Sequence, residues 1–325
     1  MGQKNNDPAV PKPLTLHTCA LTAAQAQKLR AVLAELGWVF EVRQYMLFFG
    51  QKDRLTVAVY EKGPKVVVQG RGTEEFVRFT LEPEVLGEAR LGYEEVNNPE
   101  MFQPHFGVDE SGKGDFFGPL VIAGAYTDAA STRALMDAGI QDSKRIGSDA
   151  RIRELAKMIR EMQGVVTTVV QIGPQKYNEL YGRFRNLNRL LAWGHAQVIE
   201  NLLKQRPDCP RALSDQFANP VLIKRALAAK NCVIQLDART KAESDVAVAA
   251  ASILARESFI NWLLQAGRKY GTEIGRGVSS IVKEQAKKLV AARGPEFLSE
   301  VAKVHFKTAA EIAPDFYKVP TEAAS

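Results

Sequence analysis

The chain is 325 residues long, 46% hydrophobic and 25% charged, too long for a typical single domain and apolar enough for more than one core. Its formal net charge of +6 is uneven: residues 1–100 hold 12 Lys and Arg against 13 Asp and Glu, leaving 31 against 24 for residues 101–325, so an anionic partner is expected of the second stretch. Cys19, Cys209 and Cys232 make no C-x-x-C pair, the start has no apolar leader and no apolar run reads as a membrane span, which excludes a disulfide scaffold and predicts a cytoplasmic protein without a membrane partner.

Residues 1–13 read as a polar, flexible tail. A small α+β unit is predicted over residues 14–92, beginning with a strand at Leu14–Thr18. An amphipathic helix follows at Thr22–Leu36, with Thr22 as its N-cap and Gly37 at its end. Then come extended runs at Trp38–Gly50, Leu55–Glu61 and Lys65–Gln69, the last two joined by a Lys62-Gly63-Pro64 turn, and a helix at Thr73–Phe79 before Pro83. From Arg43 to Arg71, the cations Arg43, Lys52, Arg54, Lys62, Lys65 and Arg71 face only Asp53 and Glu61, with Phe40, Tyr45, Phe48, Phe49 and Tyr60 interleaved. That mixture suits nucleic-acid contact through phosphate pairing and base stacking; it equally suits a half-buried sheet with core aromatics and solubilising charges.

Residues 93–104, with Asn97-Asn98-Pro99 and Pro104, read as a linker to a mixed α/β unit over 105–318. Strands are predicted at Phe106–Glu110, Gly118–Thr127 and Val165–Ile172, antiparallel because their loops are short. Helices follow at Ser148–Met162, Pro174–Tyr181 and Asn188–Leu203, then strand Ala212–Asp215, helix Pro220–Ala229 and strand Cys232–Leu236. A long helix from Ser244 to Tyr270 and helices at Ser279–Arg293 and Pro295–Lys303 complete the unit, and residues 319–325 read as a flexible tail.

The string Gly107-Val108-Asp109-Glu110-Ser111-Gly112-Lys113-Gly114-Asp115 has the spacing of a phosphate-binding P-loop without its chemistry. Gly114 stands where a Ser or Thr hydroxyl would meet Mg²⁺, and Asp109 and Glu110 put negative charge where a triphosphate would lie. Adjacent carboxylates suit a different task, holding a hard divalent cation that also takes phosphate oxygens. Ser111, Gly112, Lys113 and Gly114 then form a turn open to another backbone, with Lys113 able to neutralise a phosphate. Lys144, after Asp142-Ser143, is a second candidate phosphate ligand, and Tyr181–Asn188 with Arg183 and Arg185 is a candidate strand track. His105 and His305 sit in apolar contexts that favour structural roles.

Two further acids stand out. Asp215 ends a short apolar strand, where ligands collect over open α/β sheets. Asp245 lies in the predicted first turn of the long Ala-rich helix, where an isolated Asp would read only as an N-cap or a residue favoured by the helix dipole. Together with Asp142-Ser143-Lys144, Asp215-Gln216-Phe217, Phe117-Gly118-Pro119 and Ala250-Ala251-Ser252-Ile253-Leu254-Ala255-Arg256, the acidic string resembles the type 2 ribonucleases H. Gly-Lys-Gly in place of Gly-Arg-Gly, and the extension before it, resemble the bacterial ribonuclease HIII group over essentially the whole chain.

The resemblance implies a ribonuclease H-like catalytic domain with a mixed sheet flanked by helices, preceded by a small α+β domain like the TATA-box-binding protein. It implies a monomer that cuts the RNA strand of RNA–DNA hybrids with Mg²⁺ or Mn²⁺, leaving 5′-phosphate and 3′-hydroxyl ends. Asp109, Glu110 and Asp215 match the family's catalytic, metal-binding acids, and Asp245 is taken as the fourth. Glu243 competes for that place, because related ribonuclease HII sequences set an Asp shortly after a Lys-Ala pair, as Glu243 follows Lys241-Ala242. The alternatives are action on single ribonucleotides in duplex DNA and a non-catalytic nucleic-acid-binding module.

Overall fold

The computed structural model describes residues 14–87, 94–140, 143 and 146–318. They form two compact units that divide between Glu100 and Met101.

The first unit runs β1 (Leu16–Ala20), α1 (Ala23–Glu35), β2 (Val39–Glu41), β3 (Met46–Lys52), β4 (Leu55–Tyr60), β5 (Lys65–Gly70), α2 (Thr73–Phe76) and α3 (Glu94–Asn97). Its sheet is antiparallel throughout, in the order β1-β5-β4-β3-β2. Thr22 caps α1 reciprocally: its hydroxyl accepts the Gln25 N–H at 3.1 Å, and the Gln25 side chain accepts the Thr22 N–H at 2.8 Å. The extended run from Trp38 breaks into two strands because Tyr45 takes a left-handed backbone, φ 65°. After Phe76 the helix continues in wider π-type turns through Leu86, carrying Pro83 inside it. Alternation along β3, β4 and β5 sends Phe48, Val57, Val59, Val66 and Val68 into a core with Leu29, Leu33, Val77 and Leu81.

The second unit begins at Met101 and Phe102, both buried in its core, so the linker expected over 93–104 ends earlier. It runs β6 (His105–Ser111), β7 (Leu120–Thr127), α4 (Ala129–Asp137), α5 (Asp149–Glu161), β8 (Val166–Ile172), α6 (Pro174–Phe184), α7 (Leu187–Leu203) and β9 (Arg211–Asp215). It continues through α8 (Val221–Ala228), β10 (Gln235–Arg239), α9 (Val246–Tyr270), α10 (Ser280–Arg293), α11 (Leu298–Val301) and α12 (Lys307–Ile312). The sheet order is β10-β9-β6-β7-β8, with β6, β7 and β8 antiparallel and β9 and β10 parallel to β6, the mixed sheet the resemblance implies. Strand β10 starts three residues later than the sequence suggests. The Cys232 N–H still bonds the Leu227 carbonyl at 3.0 Å, and Asn231 at φ 54° closes α8.

Helices cover both faces. Val121, Ala123 and Ala125 of β7 pack with α5 and α9, while Leu120, Ile122 and Tyr126 pack with α6, α7 and α8. By length and hydropathy α9 passes for a membrane span, contrary to the sequence expectation, but it is a core helix with 72% of its most apolar window buried. It lies so close to β6 that a Cβ on Gly107 would stand 2.2 Å from the Ala247 carbonyl carbon. That contact sets where every residue of α9 falls along the strand.

Candidate active site

Strands β6 and β9 pair in parallel through Val108 and Ser214. Asp109 and Asp215, the next residue on each, therefore leave neighbouring strands side by side on the face that α9 covers, about 4.8 Å apart at the backbone. Glu110 turns to the opposite face, toward α7. The three acids line one cleft of about 510 Å³ at the C-terminal ends of β6 and β9, together with the whole Ser111–Asp115 turn.

Each carboxylate has a protein donor. Asp109, 8% exposed, accepts the Glu110 N–H at 2.8 Å, and Asp215 accepts the Ala242 N–H at 3.2 Å. Glu110 lies 3.2 Å from His195 Nε2 and 3.5 Å from the Lys113 ammonium. Burial alone would raise the Glu110 carboxyl, but the hydrogen bond and charge of His195, with Lys113, outweigh it and hold the group below its usual value. Turned to these donors, no three Asp, Glu, His or Cys side chains close into a metal cluster among the described residues.

The turn is built as the sequence suggests. Gly112 has φ +86°, and a Cβ there would stand 2.2 Å from the Pro119 carbonyl oxygen. A Cβ on Gly114 would meet nothing within 4 Å, so that stretch of backbone is open to a ligand. Lys113 reaches over the Phe217 ring at 5.4 Å. Beyond the turn, the buried Lys303 ammonium donates to the carbonyls of Asp115 at 2.9 Å and Gly118 at 2.7 Å, and Asp115 Oδ1 accepts the Gly277 N–H at 2.6 Å. The exit of the Gly-Lys-Gly turn is thus tied to the C-terminal helices.

Asp245 does not join this group, which corrects the sequence expectation. It is the N-cap of α9 and not a first-turn residue: it is 2% exposed, and its Oδ1 accepts the N–H groups of Ala247 at 2.9 Å and Val248 at 3.3 Å. Both its oxygens also face His105 Nε2, at 3.0 and 3.1 Å, and His105 begins β6, four residues before Asp109. The chain descends the sheet face between Asp215 and this cap. Ala242 packs on Leu213 and Val248, and Glu243 follows the very N–H that Asp215 binds. Glu243 is half-buried and follows Ala242 in the chain, without lining the cleft itself.

Lys144 and Asp142 lie outside the described residues. Of that trio Ser143 is described, its hydroxyl 2.8 Å from that of Ser252 and its carbonyl held by Arg256. Arg183 pairs with Glu179 at 2.6 Å, and the segment from Tyr181 closes α6 without lining the cleft. His105 is structural, and His305 stacks on Tyr181 at 4.1 Å. Sequence reasoning gave Arg256 only as part of the Ala250–Arg256 string and missed two neighbours of the acids: His195, beside Glu110, and Arg276, whose guanidinium pairs with Asp149. The available signal for His195 was Gly194. A Cβ there would stand 2.7 Å from Ile122, so α7 lies hard against the sheet where the histidine projects.

The profile of the Ribonuclease HII family matches residues 106–309. A Ribonuclease HIII of Chlamydia caviae is 44% identical over 282 residues, covering 86% of this chain and 91% of the relative. One from Protochlamydia amoebophila is 42% identical over 283 residues, 87% of this chain and 92% of the relative. The crystal structure of Bst-RNase HIII in complex with Mn²⁺ is similar with a TM-score of 0.64 at 27% identity, covering 93% of this chain and all of that one. With paired strand-end carboxylates, a Gly-Lys-Gly turn and relatives of this identity along most of its length, the chain belongs to the ribonuclease HIII family of ribonuclease H enzymes.

Proposed function

We infer that this chain cuts the RNA strand of RNA–DNA hybrids as a monomer, leaving 5′-phosphate and 3′-hydroxyl ends, with Mg²⁺ or Mn²⁺ held by Asp109, Glu110 and Asp215. The observation that carries this is the exit of Asp109 and Asp215 from paired parallel strands on one face, with Glu110 and the Gly-Lys-Gly turn at the same strand ends. The donor set fits such ions, which are hard, prefer carboxylate oxygens and keep room for water and phosphate oxygens. Bound by these acids, such ions would supply an activated water and charge stabilisation for the leaving oxygen. Glu243 serves as the fourth acid in this proposal, and Asp245 serves as a structural cap.

The chain's own groups then have separable tasks. Lys113 neutralises a phosphate at the mouth of the cleft, and the open backbone at Gly114 receives the ribose edge, where a 2′-OH distinguishes RNA from DNA. His195 and Lys113 hold the Glu110 carboxylate ionised. In the first unit, helices cover one face of the sheet, and the other carries Phe49, with the Arg43 guanidinium 3.3 Å above its ring, and Tyr60. That second face, where Arg43 and Tyr60 are exposed and Phe49 lies buried beneath the guanidinium, is the one proposed to grip the hybrid.

The test is Asp109→Asn, which removes a charge without changing volume. Cleavage of a hybrid should fall by at least a thousandfold while melting temperature and hybrid affinity in Ca²⁺ hold. Near-normal turnover in excess Mg²⁺ would remove Asp109 from the reaction. Running a duplex with one embedded ribonucleotide beside the hybrid separates the ribonuclease HII-like activity from this one.

A further inference from the structure

His195 comes from α7, on the far side of the sheet from α9, and is wholly buried. Its two ring nitrogens face two different acid-bearing strands. Nε2 lies 3.2 Å from Glu110 Oε2 on β6, and Nδ1 lies 3.0 Å from the hydroxyl of Ser214 on β9. That hydroxyl is in turn 3.0 Å from the carbonyl oxygen of Asp215. A carboxylate only accepts, so Nε2 donates to Glu110; the one Ser214 hydroxyl proton goes to the Asp215 carbonyl, so the Ser214 oxygen accepts from Nδ1. The ring also packs against Phe217 at 4.8 Å, and Phe217 underlies Lys113. Nothing about a buried histidine in an apolar helix requires this arrangement. Ser214 pairs with Val108, and Glu110 is the next residue of β6 on that same face, while the absence of a side chain at Gly194 lets α7 approach.

We propose that His195 is a positioning residue for the acid set, fixing the Glu110 carboxylate directly and the Asp215 strand end through Ser214. This rests on the proposed function above, in which both acids hold divalent ions. Groups that orient ligands from behind typically contribute about 10–100-fold to metal affinity or activity. A single imidazole bound to two ligand-bearing strands keeps the spacing between them, and that spacing is what a two-ion site depends on.

The experiment measures Mn²⁺ binding to the intact, substrate-free protein by calorimetry, with melting in EDTA as the control. His195→Phe keeps the ring and loses both nitrogens; about 10–100-fold weaker Mn²⁺ binding is expected, with little change in melting. His195→Gln keeps a donor near the Nε2 position and His195→Asn one near Nδ1, so Gln should restore more affinity than Asn, and Ser214→Ala should weaken binding by a few-fold. Unchanged Mn²⁺ affinity in His195→Phe overturns the proposal. If that variant does not fold, the Gln and Asn variants decide, and equal affinities overturn it. Asp109→Asn, run alongside, separates the two failures: if it still binds Mn²⁺ and cleaves, the ion site itself is misplaced, whatever His195 does.

Discussion

At the scale of single residues, two acids within three positions of a common helix start have opposite fates. Asp245 faces His105 Nε2 with both oxygens, while His105 Nδ1 faces the Gln103 carbonyl at 2.7 Å, an arrangement suited to a doubly protonated ring against a carboxylate. Breaking a buried pair of this kind costs roughly 3–5 kcal/mol. Asp245→Asn should therefore lower the melting temperature while folded protein still cleaves, and Glu243→Gln should abolish cleavage with melting unchanged. The opposite pattern would return Asp245 to the metal set. Lys303 offers a pH test. Burial pushes its ammonium down to about 7 against the pull of Asp115. Between that value and the unfolded value near 10.4 the unfolded chain binds more protons, so stability rises with pH by at most about 1.4 kcal/mol per unit; below pH 7 the burial cost is fully present. Urea unfolding of wild type and Lys303→Met at pH 7, 8 and 9 should show wild type gaining on the variant as pH rises. Parallel trends would mean Lys303 stays charged throughout.

At the scale of elements, the site depends on how closely α9 lies on β6. The backbone of Ala247 and Val248 occupies the space a Gly107 side chain would need, and Ser252 and Arg256 further along α9 come level with the cleft. Gly107→Ala inserts a methyl group that only backbone movement can accommodate, and overpacking of this kind typically costs about 1–3 kcal/mol. The same displacement moves α9 relative to Asp109. Gly107→Ala should thus lose stability and turnover together, measured by thermal melting and hybrid cleavage on one preparation; full activity in a destabilised variant would show that the α9 contact is structural alone.

At the scale of the whole molecule, the proposal gives affinity to the first and chemistry to the second of two units that have separate cores. Asp109, Glu110 and Asp215 all belong to the second unit, which contains Met101 and Phe102 in its own core, whereas the first unit offers a sheet face with Arg43 stacked on Phe49. A chain beginning at Pro99 should fold and cleave hybrid with a higher KM and little change in kcat. Its dissociation constant, measured in Ca²⁺ across a salt series, should also show a shallower slope, by roughly 0.9 for each phosphate the protein no longer neutralises on a duplex of B-form character. Equal affinities and slopes would leave the first unit without a part in substrate binding.

The motif around Asp109, the end of the strand at Asp215, the order of the strands and of most helices and the N-cap at Thr22 were legible in the sequence. Each is a local matter of residue type, spacing and alternation, and the covalent neighbourhood carries it. The helix Ala129–Asp137 and the split of the Trp38–Gly50 run were not, since a helix of only nine residues and one left-handed tyrosine leave little trace in composition. The places of Asp245 and His195 were decided by the tertiary structure alone. Glu243 and Asp245 look alike along the chain, and only the descent of Ala242–Ser244 over Leu213 puts the residue before Glu243 on Asp215 and carries Asp245 to the opposite end of β6. His195 is 85 residues from the carboxylate it holds, and that contact exists because two glycine-lined faces, at Gly124 and Gly194, let a helix and a sheet come together.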